Sequence, residues 1–154
     1  MIWIHVLSAV VWIGGMAFIS TAFVPGLNRW APLHRDPDDR SRLLALVTQR
    51  FKTVSWAAIA LLLVTGLLNV IHRSGEWTGQ AARLLAVKLV LVALMVVLSG
   101  LHDFILGPRL SAVRRERSAS RNANALQRAV PWLARINLIL ALAIVYLAVL
   151  IARV

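Results

Sequence analysis

Four kinds of side chain in this sequence have lone pairs or protons to offer, and they occur where charge is scarce. His5, His72 and Lys88 lie in or at the ends of long apolar runs, and so does the adjacent pair His102-Asp103. Imidazole nitrogen is the usual protein ligand of haem iron and also suits copper. An amine such as Lys88 ligates once it has lost its proton. The thioethers of Met16 and Met95 are soft ligands of the kind Cu(I) favours. Cysteine is absent, which removes disulfides, thiolate metal sites and a cysteine nucleophile together. No glycine-rich phosphate loop, zinc-spaced cluster or nucleophile elbow occurs. The chemistry on offer is ligation of a metal or a haem.

The elements that must position these groups are membrane helices. Of the 154 residues, 60% are hydrophobic, and the mean hydropathy is +0.77. Soluble domains sit near roughly 45–50% apolar. Four runs stand out: Ile2–Val24, Thr53–Ile71 with His72 at its end, Leu84–Leu106, and Val130–Ala152. Each approaches the roughly 20 residues that cross a hydrocarbon core as a helix, and helices satisfy their own backbone in lipid. The first run lacks a basic leader and is too long for a cleaved signal peptide, so it is expected to be retained. The expected architecture is all-α: a single integral-membrane four-helix bundle over 1–154, with helices at about 2–24, 53–72, 84–106 and 130–152.

The net charge is +11, and its placement gives the expected topology. The first loop holds Arg29, Arg35, Arg40, Arg42, Arg50 and Lys52, and the third holds Arg109, Arg114, Arg115, Arg117, Arg121 and Arg128. The second holds only Arg73 and Arg83. Basic loops stay inside, so the first and third loops are expected in the cytoplasm and both termini outside, in the inner (plasma) membrane. The basic loops then have anionic lipid headgroups as their partner, not nucleic acid. The stretch "PLHRDPDDRSRL" suggests a short amphipathic helix capped by Asp39 or Ser41, with His34 solvated. The stretch "RRERSASRNAN" reads as a polar linker.

This topology assigns depths. His5 lies about one turn below the outer surface, His72 at the outer end of the second helix, and Lys88 about one turn into the third. These three are expected at one level. His102 and Asp103 lie about 21 Å deeper at 1.5 Å per residue. Helical periodicity agrees: Lys88, Met95, Ser99 and His102 share one stripe, Ser55, Ala58, Thr65, Asn69 and His72 a second, and His5, Ala9, Trp12 and Met16 a third. Polar and small residues on such stripes face other helices, and ionisable groups inside spans mark functional interiors. Plainer readings compete. Lys88 can snorkel to the headgroups, His72 and His102 can mark interfaces, His5 can be a packed or interfacial histidine, and the methionines can be packing. Trp30, Trp77 and Trp132 suit the interfacial belt, whereas Trp12 lies deeper.

The stretch "WIHVLSAVVWIGGMAF", followed by Pro25, resembles the opening of the copper-resistance protein D (CopD) family, whose first helix carries a histidine and a Trp-x-Gly-Gly pattern. "RFKTVSWAAIALLLVTGLLNV" resembles that family's second helix and "LLAVKL" its third. The plan is also similar to HemJ-type protoporphyrinogen oxidase, in which a first-helix histidine and a "VKL" lysine are associated with b-type haem. That resemblance implies His5 and Lys88 as the corresponding residues, with His102 also shared. The chain departs from the HemJ type after its first helix, reading "STAFVPGLNRW" where that family has Pro-Arg-Leu and Tyr-His.

Three functions are therefore expected in competition. One is a haem b held by His5 with His72 or Lys88 as second ligand, Arg73 and Arg83 pairing the propionates, serving electron transfer or membrane redox chemistry with a quinone as a conceivable partner. Another is a copper path from His5 through Met16 and Met95 to His102. The third is a non-catalytic membrane subunit whose polar stripes only join helices. The oligomeric state and any substrate stay open at this stage.

Overall fold

The computed structural model describes residues 1–30, 37–73, 75, 77, 79–110 and 121–153. These residues are helical apart from short turns, with no strand among them. Four helices are long and apolar enough to cross a membrane, spanning Ile2–Arg29, Asp39–His72, Gly79–Leu110 and Pro131–Ile151. Most of their large apolar side chains, such as Leu7, Val64, Val90 and Ile139, point outward. In water that surface would drive aggregation; in hydrocarbon it is the correct outside. The protein is a multi-pass membrane protein. Its residues fall into two compact units, Met1–Ser74 and Gly75–Val154.

In the first unit, α1 (Ile2–Phe18) passes through a π-helical turn (Ile19–Phe23) into α2 (Val24–Trp30). These pack antiparallel against one long helix, α3 (Pro37–His72). Three contacts fix the register. His5 meets Thr65 and Gly66, Gly15 meets Phe51, and Arg40 donates to Asn28 Oδ1. The seam is built from Ser8 and Trp12 on α1 and Ser55, Ala58, Ile59 and Thr65 on α3, all buried. Gly15 lets the two helices close on Phe51, because a Cβ there would come within 2.1 Å of the Phe51 ring and push it aside.

In the second unit, α4 (Gly79–Gly100) continues through a π-helical segment (Leu101–Leu106) and a last turn at 107–110. It packs on α5 (Arg121–Ile151). Asn137 Nδ2 donates to Ser99 Oγ at 2.8 Å, and both residues are buried. One turn away on each helix, buried Met95 comes level with fully buried Ala141. Trp132 is exposed and carries the Arg135 guanidinium over its ring at 5.6 Å, as suits an interfacial aromatic.

Both π-helical segments end two residues before a proline. A proline at position i lacks an N–H and drives its ring into the carbonyl four residues back. For Pro25 that carbonyl is Thr21's and for Pro108 it is Phe104's, each inside a π segment. The residues just ahead of the prolines make the widened bonds: Val24 N–H reaches the Ile19 carbonyl, and Gly107 N–H reaches that of His102. The wider turn accommodates the ring without breaking the helix. Ser20 and Thr21 add side-chain bonds to the carbonyls of Met16 (2.6 Å) and Ala17 (2.7 Å).

Two boundaries differ from the expectations. The short amphipathic helix is not separate; it is the first part of α3, which starts with Pro37. Proline suits the first helical position, and the run Leu43–Val47 keeps the helix going. At the other end of the chain, α5 begins at Arg121 and runs through Pro131, so it takes in the end of the expected linker. The helix-forming "NALQRA" outweighs the single bond that proline removes. Residues 31–36 and 111–120, including His34 and most of that linker, lie outside the described residues.

Candidate ligand site at His5

The His5 side chain is half-buried on the face of α1 that meets α3. Its Nδ1 lies 2.8 Å from Thr65 Oγ1. The direction of that bond follows from what Thr65 does on its own helix. Thr65 Oγ1 sits 2.5 Å from the Leu61 carbonyl oxygen one turn back. Two acceptor oxygens do not approach so closely without a proton between them, so the only hydroxyl proton of Thr65 goes to Leu61. The oxygen then has only lone pairs for His5, and Nδ1 must be the donor. In the neutral ring the one acceptor lone pair is therefore on Nε2. The ring edge lies over Gly66, where a Cβ would stand 3.3 Å from His5 Cε1.

This is how a ligating histidine is held: one nitrogen donates to a fixed acceptor, which sets the tautomer, the ring plane and the basicity of the other nitrogen. The sequence placed Thr65 on the inward stripe of the second helix but did not pair it with His5. Gly66 entered only through the family resemblance of the second helix, with no place beside His5. The available signal was the combination of a threonine able to bond back to its own helix with a glycine beside it.

The other candidates are placed as follows. His72 is exposed at the end of α3, seven residues past Thr65, or about 10 Å along the axis. Arg73 and Arg83 are exposed. In the second unit, Lys88 is half-buried and in line with buried Met95 and Ser99, the face α4 turns to α5. The expected stripe on the third helix is thus a helix–helix seam. His102 closes that stripe, half-buried, with its Nδ1 2.8 Å from Asp103 Oδ1. Neighbouring residues diverge on an α-helix; this pair sits in the π-helical segment. Met16 is half-buried on α1. Among the described residues no three histidine, cysteine or carboxylate side chains converge as a metal cluster.

Comparison with known proteins supplies the family. A protein of Aquifex aeolicus (strain VF5), described only as uncharacterized, is 30% identical over 149 residues, 96% of this chain and 90% of its own length. No solved structure matches. Residues 45–151 match the copper resistance protein D family, a span that takes in His72, Lys88 and His102 and leaves His5 outside it. That span is more than half of the chain, and the chain belongs to the copper resistance protein D (CopD) family.

Proposed function

We propose that this protein binds a b-type haem with His5 Nε2 as an axial ligand, and serves one-electron transfer in the membrane. The observation that supports the reading is the Thr65 bond, which takes the Nδ1 proton, so that a neutral ring would carry its lone pair on Nε2. A haem brings four ligands of its own, so it needs few from the protein, and His5 would supply one. When bound, the haem supplies reversible one-electron chemistry, and the protein's share is orientation and local polarity. A quinone is a suitable membrane-soluble partner. The proposed setting is an inner (plasma) membrane with the basic loops inside.

Membership of the copper resistance protein D family favours a second reading, in which copper is cargo. Cu(I) takes imidazole and thioether ligands. Met16 lies eleven residues from His5, about 16 Å along α1, so the two would be successive stations and not one site.

One preparation separates the readings. The protein is purified in mild detergent, its spectrum recorded before and after dithionite, and its metals measured. Haem gives a Soret band with sharpened α and β bands on reduction, and His5→Ala loses them. A colourless protein with stoichiometric copper supports the second reading. A colourless, metal-free protein that takes up neither haemin nor copper overturns both.

A further inference from the structure

At the end of the first unit away from His5, the π turn, α2 and the start of α3 border a shallow, open groove of roughly 370 Å³. Its walls are Phe18, Ala22, Phe23, Gly26 and Leu27 on one side and Leu43 on the other. Phe18 and Phe23 stack at 6.4 Å between ring centroids. From Phe18 to Gly26 the wall is about 12 Å long. The π turn helps to shape it, since one extra residue per turn changes which side chains face α3. Gly26 leaves the floor bare: nothing lies within 4 Å of where its Cβ would be.

The polar end is marked by a single bond. Arg40 lies one turn before Leu43 on α3 and donates through Nη2 to Asn28 Oδ1, next to Leu27. A guanidinium has five N–H donors in a planar fork; this contact engages one and holds the group on Asn28, the residue after the wall residue Leu27. Arg29, in the last turn of α2, and Arg42 are exposed close by in sequence. An apolar channel ending in an oriented guanidinium is complementary to one class of molecule, an amphiphile with a hydrocarbon chain and an anionic head.

We infer that this groove is a binding site for one anionic phospholipid, its acyl chain along Phe18, Phe23 and Leu43 and its phosphate on Arg40. A basic pocket between membrane helices beside the headgroup layer is where such lipids are retained. The site is independent of His5 and of the haem reading.

The test uses the full-length protein in detergent, titrated with phosphatidylglycerol or phosphatidylcholine and read by native mass spectrometry. Wild type should retain phosphatidylglycerol at least about tenfold more tightly, the usual scale of one charge-assisted hydrogen bond. Arg40→Gln should abolish the preference and leave weak binding of both lipids. Gly26→Leu should fill the groove and lose both; Ala22→Leu, from the same wall, replaces it if that variant does not fold. Equal retention of the two lipids by wild type would overturn the assignment, as would a preference that survives Arg40→Gln. Displacement by soluble glycerol phosphate as readily as by lipid would also overturn it, because the groove would then contribute nothing.

Discussion

Replacing Thr65 by valine removes one oxygen and keeps the branched shape. In the protein that oxygen accepts from His5 Nδ1 at 2.8 Å and donates to Leu61 at 2.5 Å. Losing it leaves the Leu61 carbonyl with its own helical bond and leaves Nδ1–H without this acceptor. An interhelical hydrogen bond in a membrane contributes about 0.6–2 kcal/mol, so α1 and α3 should stay paired and the protein should fold. Ligation is affected more. Without Thr65 the ring can turn about its bond to the backbone, and the lone pair is no longer held on Nε2. Loss of such an outer partner lowers metal affinity by about 10- to 100-fold, which corresponds to about 1.4–2.7 kcal/mol. The assay is haemin titration of the purified apoprotein, followed at the Soret band, with thermal unfolding in the same detergent as the control for folding. Thr65→Ser, which keeps the hydroxyl, should bind almost as wild type does. If Thr65→Val binds haemin with unchanged affinity and spectrum, or if the serine variant is as weak as the valine variant, the tautomer reasoning is wrong.

The remaining predictions concern neighbouring residues and the two seams. His72→Ala should leave the Soret and α bands of the haem-loaded protein in place, because His72 is exposed and about two turns beyond the level of His5. Gly15→Ala should lower stability by about 1–3 kcal/mol, since its Cβ would overlap the Phe51 ring and overpacking carries that cost. Adding Phe51→Ala should recover part of this loss, a coupling that a double-mutant cycle on unfolding in detergent reads directly. Asn137→Leu removes the bond to Ser99 and should cost about 0.6–2 kcal/mol in the same unfolding measurement, with no change in any haem spectrum.

The parts of this protein that could be read from its sequence are those set by period and composition. Four spans follow from four apolar runs. The seam residues Trp12, Ser55, Ala58, Thr65, Met95 and Ser99 follow from helical spacing, because lipid makes most outward positions apolar and leaves polar or small residues to mark the inside. What could not be read was register. Whether His5 meets Thr65 or a residue one turn away depends on how far α1 slides along α3, and no local pattern encodes that. It is set by contacts distant in sequence: Phe51 in the notch of Gly15 and Arg40 on Asn28. A slide of one turn, about 5.4 Å, would bring Leu61 or Asn69 opposite His5 instead. Asparagine could still offer the ring an acceptor; leucine could not. The two glycines restrict that freedom in different ways. Gly15 takes in a ring that any other residue would exclude, and Gly66 lets the imidazole lie close to α3. The placement of the His5 ring thus depends on two missing side chains as much as on the histidine.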